Sequence, residues 1–302
     1  MDMQTPKIPA EAVDLYTRFI HGEITRRAFS DGIKKFAVAG LTASVMMDAL
    51  MPNYANAHVA KDDERIKASY VTIPSPDGSG SIKGYLVRPF SADTREEKPS
   101  KLPGILVVHE NRGLNPHTED VARRFALENF MAFAPDTLSP VGGYPGDDYK
   151  GGLMFAKQDG AKRSIDLLNS AKWLKARADC TGKIGVTGFC FGGGVSNALA
   201  GQMGPELAAA VPFYGGATNP AMVPNIKAAI LIHHGALDAN AVKNWPDQEA
   251  NLKKAGVTYE GHIWPNSVHG FFNDATPERY NKETAPKAWD RTIEWFNKYV
   301  RA

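Results

Sequence analysis

The sequence predicts an α/β fold: a mostly parallel central sheet with helices on both faces and an antiparallel hairpin at its N-terminal side. Three features carry this. Short runs such as Ile105-Leu-Val-Val108 and Met131-Ala-Phe-Ala134 are apolar at every position, as strands covered on both faces require. Helical stretches separate them, supplying the crossovers that parallel neighbours need. Ahead of them, two β-rich segments flank a turn-rich loop.

The hairpin pairs Tyr70–Ile73 with Ile82–Val87 across Pro74-Ser-Pro-Asp-Gly-Ser-Gly80. A charged, proline-containing loop, 91–103, leads to the strand at Ile105–Val108. A helix over Thr118–Glu128 and the strand Met131–Ala134 follow, then a long glycine-rich loop and a helix over Asp159–Ala178. Further strands fall at Ile184–Thr187, Ala208–Phe213, Ala229–His233 and Tyr259–Ile263, alternating with helices near Val195–Ala200 and Asp247–Ala255. The last helix, Ala285–Tyr299, sets Trp289, Ile293 and Phe296, with Val300, on one face for core packing.

Composition narrows the function. Among 302 residues, 35 Lys and Arg against 33 Asp and Glu give a net charge of +2, too balanced for a nucleic-acid binder. Two cysteines cannot build a disulfide framework. No apolar run reaches the ~18 residues of a membrane span.

The N-terminal 57 residues stand apart as a leader or extension, with the catalytic domain expected over 58–302. Arg26-Arg27, the weakly apolar stretch Phe36–Met47 and Ala55-Asn56-Ala57 follow in the order of a twin-arginine export signal, so a periplasmic destination is expected. The alternative is an amphipathic helical segment that stays attached, in a cytoplasmic protein.

The segment Lys183-Ile-Gly-Val-Thr-Gly-Phe-Cys-Phe-Gly-Gly-Gly194 carries most of the chemistry. A strand runs into Gly188-Phe-Cys190-Phe-Gly192 and then a helix, the nucleophile-elbow pattern with cysteine at its centre. Glycines two before and two after let a strained turn pass without Cβ clashes. The helix N-terminus favours thiolate at Cys190, and the N–H of Phe191 is positioned for a substrate oxyanion. A plain buried cysteine is the bland alternative. A dinucleotide turn is another, but Gly185, Gly188 and Gly192 have the wrong spacing. The next strand also ends in Phe213-Tyr-Gly-Gly216, without the required carboxylate.

A thiolate nucleophile needs a base, and the base an acid to orient it. Asp238 follows one buried strand and His269 the next. The chain order Cys190, Asp238, His269 is that of the α/β-hydrolase fold, with each residue at a strand's carboxyl end.

From about Tyr70 onward the chain resembles the dienelactone hydrolase family. The resemblance rests on Gly-Phe-Cys190-Phe-Gly-Gly, Asp238, His269-Gly-Phe, and Val107-Val-His-Glu110-Asn-Arg-Gly113, which matches the family's His-Glu segment. It implies a Cys–Asp–His triad, Glu110 as activator of the thiol, and Asn111 with Phe191 as backbone oxyanion donors. It departs where the family clamps its substrate's carboxylate. Pro135-Asp-Thr-Leu-Ser-Pro-Val-Gly-Gly-Tyr-Pro145 holds no arginine, nor does Gly270-Phe-Phe-Asn-Asp274. That points away from dienelactone itself and leaves Arg112 as a candidate substrate contact.

No metal site is expected: His109, His117, His233, His234, His262 and His269 form no H-E-x-x-H helix, and there is no C-x-x-C. Cys180 reads as a structural thiol. The expectation is a cofactor-free hydrolase of small-molecule esters or lactones acting through a thioester. A non-catalytic binding module on the same scaffold is the alternative. Oligomeric state is not legible.

Overall fold

A computed structural model describes residues 8–20, 22–37, 42–55, 57–91, 96–97 and 101–301. Residues 38–41 of the expected leader, Asn56 of its Ala-Asn-Ala site, and residues 92–95 and 98–100 of the charged loop lie outside these.

Strands β1 (Ile66–Ser75) and β2 (Gly80–Ser91) form the expected hairpin, in register from Ile66 opposite Pro89 to Ser75 opposite Gly80. The short β3 (Glu96–Glu97) pairs with the end of β2. Then come β4 (Leu102–Val108), β5 (Met131–Pro135), β6 (Cys180–Phe189), β7 (Ala209–Phe213), β8 (Ala229–Gly235) and β9 (Tyr259–Trp264). The sheet runs β1-β2-β5-β4-β6-β7-β8-β9. Pairing is antiparallel up to β2–β5 and parallel from β5–β4 onward.

Two cores cover the two faces. Ile105 and Val107 of β4 face one, with Phe125, Phe130 and Phe296; Leu106 and Val108 face the other, with Leu167, Leu174 and Leu199. That alternation is the pleat of a strand buried on both sides. The first core is closed by α4 (Pro116–Leu127) and α9 (Thr284–Phe296), the second by α6 (Gly160–Ala176) and α7 (Phe191–Met203). Phe296 and Val300 are buried and Trp289 and Ile293 pack against them, as the helical spacing predicts.

Two helices depart from the sequence reading. α5 (Asp148–Ala156) occupies what reads as loop, because Gly151-Gly152 argues against a helix. Gly151 is there for packing: a Cβ would collide with the carbonyl oxygen of Arg112. α8 (Ala239–Lys254) starts eight residues before the expected Asp247 and runs through Pro246, because Asp238 caps it, accepting from Ala241 N at 3.2 Å.

The N-terminal region folds into α1 (Ala10–Ile20), α2 (Arg26–Ile33) and α3 (Ala43–Leu50) around a third small core of Ala12, Val13, Tyr16, Phe29, Ile33, Met46 and Leu50. Thr25 caps α2, Arg27 is exposed, and Arg26 sits 5.1 Å over the ring of Tyr149. This arm lies on the carboxyl-end side of the sheet, where Val268, next to His269, packs against it.

Candidate active site

The β6–α7 turn places Cys190 at φ 53° and ψ −111°, a backbone conformation that costs a residue with a Cβ. Neighbouring chain leaves no alternative. A Cβ on Gly188 would run into the backbone of Gly192, and one on Gly192 into the carbonyl oxygens of Val108 and His109. The turn is held by Cys190 N donating to Phe213 O at 3.1 Å and Gly194 N donating to Cys190 O at 3.1 Å. Cys190 is partly exposed and opens on a cavity of about 1030 Å³ that Asp238 and His269 also line.

Three carboxyl ends bring these residues together. Asp238 follows β8 and His269 the loop after β9, and His269 Nδ1 lies 2.6 Å from Asp238 Oδ2. With Nδ1 engaged by Asp238, the buried Nε2 is the ring nitrogen left to face Cys190. Burial alone would lower the imidazole pKa, but Cys190 and Asp238 outweigh it and push it up to about 10. Burial pulls Asp238 the other way, yet its bond to His269 holds it below the usual carboxylate range.

Glu110 is buried at the end of β4. Burial raises its pKa, but Arg279, Arg112, His117 and His269 outweigh that and lower it, so the carboxylate stays ionised. The histidine before it locks the loop: His109 Nδ1 bonds the Glu110 carbonyl, and Thr137 N donates to His109 Nε2 at 3.2 Å. Burial lowers the pKa of His109, in keeping with a neutral ring that donates from one nitrogen and accepts at the other. Asn111 follows, its Nδ2 donating to Ile20 O at 2.9 Å and so satisfying a carbonyl at the end of α1. The ring of Phe191 packs edge-on to Phe155, with centroids 4.8 Å apart.

Arg112, the candidate substrate contact, is buried and lines a smaller cavity of about 290 Å³. It is 3% exposed, and Nη1 is 3.1 Å from Asp148, which also accepts from the hydroxyls of Tyr54 and Tyr144 at 2.8 Å. Its charge is matched inside the protein.

Two residues beside the site escape the sequence reading. Arg279 is buried, without a hydrogen bond to its guanidinium among the described residues, 5.3 Å over the ring of Tyr16. It sits ten positions after His269, beyond Gly270-Phe-Phe-Asn-Asp274, and the loop 270–279 folds it back. Gly270 makes room, since a Cβ there would stand 2.6 Å from Arg279 Nη1. Tyr214, at φ 38°, sets its ring 5.0 Å from that of His269. Neither carries a local motif; only the strand end at Phe213 marks Tyr214.

Cys180 is buried, and burial raises its pKa, as expected for a structural thiol. His233 and His234 face opposite sides of β8. The first bonds Trp264 Nε1 at 3.0 Å, and the second lines the cavity. No group of three or more metal-ligating side chains occurs among the described residues, and no described helix is long and apolar enough to cross a membrane.

A strained strand-to-helix turn on a mostly parallel sheet, with chemistry gathered at the carboxyl ends, defines an α/β-hydrolase. The particular family follows from comparison: the model of the dienelactone hydrolase family matches residues 83–300, and the chain belongs to that family. It is accordingly a hydrolase acting on ester or lactone bonds. "Putative hydrolase fragment YghX" of Escherichia coli K12 is 53% identical over 112 residues, covering 37% of this chain and 91% of the fragment. "Protein usf" of Aquifex pyrophilus is 32% identical over 234 residues, 72% of this chain and 94% of its own. Among solved structures, "Putative Dienelactone Hydrolase" from Klebsiella pneumoniae is 28% identical with a TM-score of 0.66, covering 78% of this chain and 99% of its own.

Proposed function

We propose that the protein hydrolyses small-molecule carboxylic esters or lactones through a Cys190 thioester. The observation that carries this is the chain Asp238–His269–Cys190, with the cysteine on a positive-φ turn at a helix N-terminus. The Cys190 thiolate attacks the carbonyl carbon, and the N–H groups of Phe191 and Asn111 receive the oxyanion. The tetrahedral adduct collapses with cleavage of the C–O bond, and the leaving alkoxide takes the proton from His269 Nε2. His269, then neutral and oriented by Asp238, removes a proton from water; hydroxide attacks the thioester and the thiolate departs.

Thiolate is itself a good leaving group, so the first adduct partitions back to reactants unless the alcohol also leaves well. That favours lactones, enol esters and aryl esters over amides. Glu110, ionised and buried at the same strand end, supports the role of thiol activator. The non-catalytic alternative has no observation in its favour. Steady-state hydrolysis of p-nitrophenyl acetate, a simple lactone and dienelactone, by wild type and Cys190→Ala, tests the reading. Turnover lost by at least 10³-fold in the variant is expected, and comparable rates would sink it.

For the N-terminal arm, packing of α1 against the site supports the retained alternative over a cleaved export leader. The intact mass of protein from its native cell tests this: a species starting near residue 58 contradicts retention.

A further inference from the structure

Helix α1 of the N-terminal arm walls the larger cavity, the one onto which Cys190 opens. Glu11, Asp14 and Arg18, three and four residues apart on one helix face, line it together with Glu23 just beyond α1. All four lie outside residues 83–300, which the family model matches. Among the described residues, the rest of the lining includes no lysine or arginine.

The charges of this lining do not cancel. Arg18 is answered by Glu23 at 3.6 Å. Asp238 keeps its negative charge whichever of Cys190 and His269 holds the proton they share. His234 is neutral, since burial lowers its pKa to about 4. Behind the wall, Arg279 and Arg112 face Glu110 and Asp148. Glu11 and Asp14 remain, both exposed and without an ion-pair partner among the described residues. The cavity is therefore negative.

A second observation points to a polar occupant. Tyr214 and Gln248 line the same cavity at 3% and 6% exposure. The hydroxyl of the first and Nε2 of the second have no hydrogen-bond partner among the described residues. Burying a polar group unpaired is costly, and a polar substrate relieves that cost. Burial raises the pKa of Tyr214, so it stays a neutral phenol whose oxygen can accept from an N–H donor.

We infer that the cavity at Cys190 takes esters that carry a positively charged amine, and that Glu11 and Asp14 of the arm set this preference. The inference rests on the esterase reading above and supplies its substrate class. An ammonium group on the acyl or the alcohol side is drawn by both carboxylates, and an anionic ester is repelled. At a partly solvated cavity two such charges are worth on the order of tenfold.

The test uses the full chain and two matched series. In the first, p-nitrophenyl 6-aminohexanoate, p-nitrophenyl heptanoate and mono-p-nitrophenyl pimelate end the acyl chain in a cation, a methyl group and an anion. In the second, 4-(aminomethyl)phenyl acetate is set against 4-ethylphenyl acetate. In at least one series kcat/KM for the cation should exceed that for the neutral ester about tenfold at low salt, with the pimelate slower than the heptanoate. The preference should shrink at least threefold in about 0.5 M NaCl and in Glu11→Gln/Asp14→Asn. Glu11→Lys/Asp14→Lys should favour the pimelate. No preference in either series overturns the inference, as does one that the neutralised variant, folded by circular dichroism, retains. If a variant misfolds, the salt response of wild type decides, and a preference indifferent to salt overturns it. If wild type hydrolyses no ester, the esterase reading fails by itself. The charge selection is then read at Cys190 with 2-aminoethyl and 2-sulfonatoethyl methanethiosulfonate, each rate relative to that with 2-mercaptoethanol. A cationic preference lost in Glu11→Gln/Asp14→Asn supports the selection, and equal relative rates overturn it.

Discussion

Asp238 holds two partners at once: its Oδ2 lies 2.6 Å from His269 Nδ1, while its Oδ1 accepts the N–H of Ala241 at 3.2 Å. One carboxylate thus starts α8 and orients the imidazole that faces Cys190. The helix fixes the carboxylate, which in turn fixes the imidazole.

That double role separates two substitutions. Asp238→Asn keeps an N-cap, since asparagine caps as well as aspartate, and loses only the charge that steadies the imidazolium. We expect kcat to fall by about 10²–10⁴-fold, with a melting temperature close to wild type. Asp238→Ala should lose as much activity and, in addition, about 1 kcal/mol of stability. Thermal melts beside kinetics check this, and equal stability losses in the two variants would contradict it.

The two thiols should differ in reactivity. Cys190 is partly exposed, at a helix N-terminus and beside an imidazole whose pKa stands near 10. Cys180 is buried, and burial raises its pKa. Iodoacetamide at pH 7, followed by peptide mapping, should modify Cys190 on the order of 10²-fold faster. Comparable rates would mean that the thiol is not activated.

Glu110→Gln should weaken the thiol without breaking the bond between Asp238 and His269. The carboxylate is ionised among Arg279, Arg112, His117 and His269. Its loss leaves buried cations short of a counter-charge, which costs about 3 kcal/mol. We expect kcat/KM to fall by roughly 10–10²-fold, with a parallel fall in the rate of Cys190 alkylation. A lower kcat with unaltered alkylation would move Glu110 to a later step.

A histidine outside the proposed chemistry sets an acid limit. Burial lowers the pKa of His234 to about 4, so the folded protein keeps it neutral while the unfolded chain protonates it near 6.5. Its contribution is fully present above pH 6.5 and is lost as the pH falls from there to about 4. The loss is on the order of 3 kcal/mol. Urea unfolding of wild type and His234→Asn should show the wild-type advantage at pH 7 shrinking by about that amount at pH 4. A difference independent of pH would contradict the shift.

The sheet and the positions of Cys190, Asp238, His269 and Glu110 were legible because each depends on neighbours in sequence. Strands covered on both faces must be continuously apolar, and a tight strand-to-helix turn must carry glycine where backbones meet. What escaped depends on distant contacts. Gly151 sits inside a helix because the carbonyl of Arg112 occupies the space of a Cβ. Arg279 reaches the site through a loop whose course no periodicity reveals. The partner of Arg112, Asp148, lies 36 residues away in sequence. The contacts of the N-terminal arm are of the same kind. Its packing on Val268 and its bond from Asn111 are tertiary.

The central claim is that Cys190 forms the acyl-enzyme, and trapping the adduct tests it most directly. Wild type mixed with p-nitrophenyl acetate, quenched in acid at millisecond times and digested, should carry a transient 42-dalton acetyl group on the peptide containing Cys190. It should appear with the burst of p-nitrophenol, decay with turnover and be absent from Cys190→Ala. Turnover with no adduct on Cys190, or an adduct on another residue, would contradict the account.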